Sequence, residues 1–184
     1  MNTLILGGAR SGKSAYAEKL ARESGKQVIY VATAVAGDDE MTRRIAHHRS
    51  RRPANWQTVE SGIALADTLR AHARHDRCLL VDCLTLWLSN LLFSGQAARQ
   101  AEAGEEISCA LLAQEIDALA HTLPTLPGQL VLVSNEVGWS IVPENALARV
   151  FRDEQGRLNQ EIATRAQRVT LIAAGLPLQL KPKQ

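Results

Sequence analysis

Cysteine is scarce and unpaired in this chain, with Cys78, Cys83 and Cys109 the only three in 184 residues. An odd count without a CxxC pair argues against both a disulfide framework and a thiolate zinc site, and points to a reducing, cytoplasmic setting. No apolar run approaches the roughly 20 residues of a membrane span. The N-terminus lacks the charged region, apolar region and small-residue cleavage site of a secretory leader, so neither a span nor a leader is expected. An excess of one charge is missing too: 21 Lys and Arg stand against 19 Asp and Glu, for a formal net charge of +2. That balance gives no electrostatic argument for nucleic acid as the main partner. The basic density is local, in "RRIAHHRSRR" from Arg43 to Arg52, and suits a small anion.

What is present is the composition of an ordinary globular protein, 46% hydrophobic and 22% charged, long enough for one domain over residues 1–184 with a sizeable core. Short β-rich runs alternate with helical patterns: "TLIL", a helix from about Lys13 to near Gly25, "QVIYVAT", then a helix from about Asp38 to Arg49. Such alternation reads as βαβ units around a parallel sheet. "CLLVD", ending at Asp82, and "QLVLVSN", ending at Asn135, are continuous apolar runs, as expected of strands covered on both faces. "LTLWLSNLLF" reads as a helix, Ser94 to Glu106 as a surface connection, and the next helix is expected to begin near Glu105. Pro143 suits a first helical turn. Gly156 interrupts the apolar stripe behind it, leaving one kinked helix or two. "RVTLIAA" is the expected last strand, followed by a polar tail.

The chemistry begins at "GGARSGKS", the residues Gly7, Gly8, Ala9, Arg10, Ser11, Gly12, Lys13 and Ser14. They fit GxxxxGK[ST] in full, after an expected strand and before an expected helix. Glycines let the backbone curl so that successive N–H groups face phosphate oxygens, and the helix N-terminus adds its positive end. Lys13 reaches the β and γ phosphates, and the Ser14 hydroxyl is a ligand for Mg²⁺. Asp82, closing an apolar strand, stands where a carboxylate would hold the same ion, the ordinary alternative being strand-end capping. Asn135 and Glu136, in "SNEVG", fall on the same expected carboxyl edge, where open α/β sheets bind ligands.

On a helix through "DDEMTRRIAHHRSRRP", Met41, Ile45 and His48 share one face while Glu40, Arg44 and His47 share another. Imidazole can attack phosphorus and so divide one transfer into two. Arg49, Arg51 and Arg52 could neutralise a triphosphate during that attack. A solvated basic surface is the competing reading of these residues, as it is for His72 and His75.

"GGARSGKS", "DDEM", "RIAHHR", "RRPANWQTVE", "VDCLTLWLSNLL", "SNEVGWSIVPEN" and "LARVFRDEQGRLNQ" resemble, in order and spacing, the bifunctional adenosylcobinamide kinase / adenosylcobinamide-phosphate guanylyltransferase family of cobalamin synthesis. The resemblance implies a single α/β P-loop NTPase domain, RecA-like, with a mostly parallel sheet flanked by helices. It implies two reactions. ATP or GTP phosphorylates the aminopropanol hydroxyl of adenosylcobinamide, and GTP then donates GMP to that phosphate. It also implies a GMP-histidine intermediate, which the pattern RIxxH puts on His48. Nucleotide contacts carry over to the phosphate loop, to Ala32, Thr33 and Ala34, to Arg49, Ser50, Arg51 and Arg52, to Glu60 and to Asp82. Family members resemble homotrimers, in which Arg149, Arg152 and Arg157 would serve a neighbour's site. Trp56, Trp87 and Trp139 are corrin platforms or core. The rivals are a single-activity small-molecule kinase and a P-loop protein that binds nucleic acid through its basic segment.

Overall fold

The computed structural model describes residues 1–34, 53–94, 97–103, 105, 107 and 109–182. The helix expected over Asp38–Arg49 lies outside the described residues.

The strands are β1 (Asn2–Gly7), β2 (Gln27–Ala32), β3 (Gln57–Glu60), β4 (Arg77–Asp82), β5 (Gln129–Asn135), β6 (Arg168–Ala173) and β7 (Leu176–Lys181). The helices are α1 (Lys13–Glu23), α2 (Leu65–His72), α3 (Leu84–Ser94), α4 (Ala97–Ala103), α5 (Ala110–Thr122) and α6 (Ala146–Arg165). The strands form one sheet in the order β3-β2-β4-β5-β1-β6-β7. All pairings are parallel except that of β6 with β7.

Alternation along the central strands divides the core in two. Leu4, Leu6, Ile29, Val31, Leu79, Val81, Leu130 and Leu132 face one side, where Trp87, Leu88, Leu119, Leu158 and Ile162 of α3, α5 and α6 pack on them. Ile5, Val28, Tyr30, Leu80, Val131 and Val133 face the other, against Ala17 and Ala21 of α1. Small residues on α1 let its backbone approach the sheet closely, which brings the start of that helix down onto the carboxyl edge. Burial of each large side chain contributes about 1.5–3 kcal/mol, so the strands at the middle of the sheet are its most firmly held part.

Several boundaries differ from the sequence reading. The connection after Ser94 contains a helix, α4, whose Ala97 is buried in the larger core; a single buried alanine leaves little apolar periodicity to read. The following helix starts at Ala110 rather than near Glu105. Pro143 precedes α6 instead of opening it. Asn145 is the cap, its side chain accepting the Ala148 N–H at 2.7 Å. Gly156 sits inside that single helix with open space where a Cβ would stand. The tail is no tail: Leu176–Lys181 returns as the antiparallel edge strand β7 through a turn at Ala174 and Gly175, both with positive φ.

Candidate active site

The parallel register sets the carboxyl ends of six strands in a row. Ala32 pairs with both Glu60 and Asp82, Asp82 with Val133, and Gly7 with both Asn135 and Ile172. The phosphate loop leaves this edge at Gly7. A Cβ there would lie 2.5 Å from Ser11 Oγ and 2.7 Å from the Ile172 carbonyl oxygen, so the position excludes every side chain. Arg10 (φ 56°) and Gly12 (φ 96°) take left-handed conformations that curl the loop. The Ser11 N–H donates to the Gly8 carbonyl at 3.2 Å, and the Gly175 N–H to the Ser11 carbonyl at 2.9 Å. The β6–β7 turn thus braces the loop from outside. Gly12 caps α1 with no side-chain acceptor, which leaves the first N–H groups of the helix to an incoming anion.

Lys13 is 9% exposed, and its ammonium donates to the Gly8 carbonyl at 3.1 Å. It therefore lies across its own loop. Burial lowers its pKa, opposed by the nearby Cys83 and Asp82. A phosphate would replace a single carbonyl partner with full negative charge. Ser14 Oγ stands 3.4 Å from Asp82 Oδ1, and Asp82 Oδ2 accepts the Tyr30 hydroxyl at 3.0 Å. A hydroxyl and a carboxylate converging here are hard oxygen donors, the set Mg²⁺ takes when substrate phosphates complete its shell. Among the described residues no group of three or more His, Cys, Asp or Glu could hold a metal. Tyr30, which orients Asp82, was missed in the sequence because a tyrosine in an apolar strand reads as core.

Thr33 is fully buried and acts as a clip: its hydroxyl donates to the Cys83 carbonyl at 2.7 Å and accepts the Cys83 N–H at 2.9 Å. Asn90 donates to the Thr33 carbonyl at 2.7 Å. The Thr33 side chain is thus committed to joining the ends of β2 and β4, and the half-buried Ala32 and Ala34 beside it form the accessible surface. The Ser61 N–H donates to the Ala32 carbonyl at 2.8 Å, holding exposed Glu60 beside β2. The Cys83 thiol, pushed up to about 11 by burial and then by Asp82, stays neutral and is no nucleophile.

Glu136 follows β5, its N–H donating to the Gly7 carbonyl at 3.1 Å. Its carboxylate Oε1 accepts from the Asn159 amide at 3.2 Å, and that amide also donates to the Asn135 carbonyl at 3.0 Å. Beneath lie Ser134 and Gln155, both fully buried. Ser134 Oγ donates to Asn159 Oδ1 at 2.6 Å, and the Gln155 amide reaches Ser134 Oγ at 2.9 Å and Asn159 Oδ1 at 3.0 Å. The sequence held one signal of this: Gln155 and Asn159 stand at i, i+4 on the face of α6 that also buries Leu158 and Ile162.

Trp87 is fully buried, with its indole N–H on the Ile63 carbonyl at 2.6 Å, and is core. Trp56 packs against the smaller core cluster. Trp139, at 70% exposed, is open to a ligand. Arg149 donates to the Pro143 carbonyl at 3.1 Å, Arg152 pairs with Asp153, and Arg157 pairs with Glu154, all close to their own helix. His72 ends α2 and accepts Arg77 through its carbonyl at 3.0 Å, while the His75 carbonyl accepts Lys26 at 2.6 Å; neither imidazole reaches the edge row. His47, His48, Arg49, Ser50, Arg51 and Arg52 lie outside the described residues.

A phosphate loop, a helix N-terminus and a carboxylate facing the loop serine, on one edge of a mostly parallel sheet, define a RecA-like P-loop NTPase fold. Solved structures agree at the level of fold. An ATPase from the type III secretion system of pathogenic bacteria superposes with a TM-score of 0.53 at 12% identity, over 97% of this chain and 56% of that one. A Pyrococcus horikoshii OT3 protein superposes with a TM-score of 0.58 at 8% identity, over 100% and 87%. The family model described as cobinamide kinase / cobinamide phosphate guanyltransferase matches residues 3–180, and the chain belongs to that family of enzymes. It is 55% identical over 181 residues to the bifunctional adenosylcobalamin biosynthesis protein CobP of Pseudomonas aeruginosa, covering 98% of both chains. It is 41% identical over 182 residues to the corresponding CobU of Escherichia coli K12, covering 98% of this chain and 100% of that one.

Proposed function

We propose that this protein phosphorylates adenosylcobinamide with ATP or GTP and then transfers GMP from GTP, through a GMP–His48 intermediate, to give adenosylcobinamide-GDP. The observation that carries the reading is the loop itself. Lys13 and the α1 N-terminus are arranged for a triphosphate, with Ser14 and Asp82 as the oxygen pair for Mg²⁺, in a chain that matches its family nearly end to end. Mg²⁺ held there would supply charge neutralisation on the phosphates. Within the chain, Lys13 fixes the β and γ phosphates while the loop amides fix their oxygens.

The two reactions differ in which phosphorus is attacked. In the first, the acceptor hydroxyl attacks the γ phosphorus and a nucleoside diphosphate leaves. In the second, the His48 imidazole attacks the α phosphorus of GTP and pyrophosphate leaves, after which the cobinamide phosphate takes GMP from the imidazole. The chain departs toward His48 from the end of β2, beside Asp82 in the edge row, which supports a nucleophile reaching the same nucleotide. Arg49, Ser50, Arg51, Arg52 and Glu60 are assigned to holding GTP. A cytoplasmic homotrimer fits the free cysteines Cys78, Cys83 and Cys109 and exposed apolar residues such as Ile141 at 93%. Among the described residues no helix is long and apolar enough to cross a membrane.

Intact mass after incubation with Mg²⁺ and GTP tests the reading. A GMP adduct is expected, lost in His48→Ala and retained in His47→Ala, with phosphorylation of adenosylcobinamide surviving in both variants. An adduct that persists in His48→Ala overturns the assignment. No adduct in the unmodified protein would leave a single-activity kinase.

A further inference from the structure

Asn159 of α6 cannot turn its amide over. Its Oδ1 accepts two donors, Ser134 Oγ at 2.6 Å and the Gln155 amide at 3.0 Å, so its Nδ2 must face outward, toward the Asn135 carbonyl and Glu136 Oε1. Fully buried Gln155 leaves its own Oε1 without a hydrogen-bond partner among the described residues. A hydrocarbon would pack in that place with no orphaned polar atom, so stability alone does not account for the arrangement. What it does achieve is to hold one carboxylate in one orientation. The Glu136 backbone is pinned at the same time to the Gly7 carbonyl, the first residue of the phosphate loop. Oε2 carries no hydrogen bond among the described residues.

We propose that Glu136 is the proton acceptor for the alcohol in phosphoryl transfer, and that Asn159, backed by Ser134 and Gln155, is its positioning residue. This rests on the kinase reading above. The acceptor oxygen bonds to the γ phosphorus, the bond from that phosphorus to the β–γ bridging oxygen breaks, the hydroxyl proton passes to Glu136 Oε2, and the nucleoside diphosphate leaves with the electron pair. Strand β5 lies between β1 and β4, so Glu136 stands between the loop that holds the nucleotide and the strand that carries Asp82. Among the described residues its hydrogen-bond partners are uncharged: the Gly7 carbonyl from β1 and the Asn159 amide from α6, while Thr85 of α3 binds the adjacent Asn135 N–H at 2.9 Å. Lys13 and Asp82, on the loop and β4, act on one another. Burial raises the Glu136 pKa, opposed by the Asn159 bond, a shift in the direction a general base needs.

The test uses the full-length enzyme with adenosylcobinamide, Mg²⁺ and ATP. Glu136→Gln is expected to lower kcat by about 10²–10⁴-fold, the range for loss of a general base, with nucleotide Kd and thermal midpoint unchanged. Glu136→Asp is expected to recover part of that loss. In Asn159→Leu the carboxylate loses a donor that favours its charged form, so the acidic limb of kcat/KM should move to higher pH. A Glu136→Gln enzyme with wild-type kcat overturns the proposal, as does a loss matched by weaker nucleotide binding or an unmoved acidic limb in a folded Asn159→Leu. If Asn159→Leu does not fold, the Glu136 pair decides alone. An unmodified enzyme that fails to phosphorylate adenosylcobinamide overturns the kinase reading, and this inference with it.

Discussion

Replacing Gly7 with alanine isolates what the first glycine of the phosphate loop does. The new Cβ would sit 2.7 Å from the Ile172 carbonyl and 2.5 Å from Ser11 Oγ. The serine can rotate away, because its hydroxyl is a short side chain's end and has no hydrogen-bond partner to lose among the described residues. The carbonyl cannot, since Gly7 is paired with Ile172 on one side and Asn135 on the other, and moving any one strand strains the others. Overpacking of this kind costs about 1–3 kcal/mol. For a chain of this size each kcal/mol lowers Tm by about 2–4 °C, so the loss should be roughly 2–12 °C. Gly8 is the control. A Cβ there meets nothing within 4 Å and its φ is not positive, so Gly8→Ala should stay within about 0.5 kcal/mol of wild type. Thermal melts of both variants without nucleotide, followed by calorimetric titration with ATP, make the comparison. Gly7→Ala should lose affinity as well as stability, because its backbone also accepts from Glu136. Equal melting temperatures for the two variants would refute the steric argument.

Lys13→Ala should depress phosphorylation and GMP transfer together, since both need a triphosphate in one cradle; guanylyl transfer at the wild-type rate would require a second nucleotide site. Lys13 also gives a pH prediction. Burial lowers its pKa, so its charge is fully present below that lowered value and is lost as pH rises through it. Nucleotide affinity should therefore decline on the alkaline side sooner than an ordinary lysine allows, whereas Lys13→Arg should show no such decline; titrations at several pH values decide. Asp82→Asn should reduce kcat far more than nucleotide affinity, because a metal partner acts chiefly on charge developing in the transition state, and parallel losses would instead favour a structural carboxylate held by Tyr30.

The parts of the fold legible in the sequence are those in which local and long-range demands coincide. "CLLVD" and "QLVLVSN" are apolar throughout because both faces of β4 and β5 are covered, and the structure ends them at Asp82 and Asn135 as read. β7 was illegible for the opposite reason. Leu176, Leu178 and Leu180 are 71%, 56% and 43% exposed, so no burial pattern marked the strand, and only pairing with β6 makes it one. Pro143 misled because proline tolerates both the first turn of a helix and the residues before it; the side-chain bond from Asn145 settles the start. In the site, the phosphate loop was readable from residue order alone. Thr33, Tyr30 and Asn159 were not assignable in that way, because what each does depends on a partner 50, 52 or 23 residues away.

The proposed function asks one loop to serve two transfers, and the same separation bears on how it would do so. In that reading backbone amides and Lys13 recognise a triphosphate without regard to base or acceptor, and the loop is braced by the Gly175 N–H on Ser11 and the Glu136 N–H on Gly7. Specificity must then come from groups that approach this fixed nucleotide, and the strand order supplies two directions of approach. Ala32 and Glu60 end β2 and β3 on one side of Asp82, and Asn135 and Glu136 follow from β5 on the other. A nucleophile aimed at the α phosphorus and a base serving an alcohol at the γ phosphorus need not compete for one position, provided they belong to different strands. In the proposed mechanism β5, lying between β1 and β4, carries the base apart from the β2 side, and the buried Ser134–Gln155–Asn159 cluster ties the end of β5 to α6.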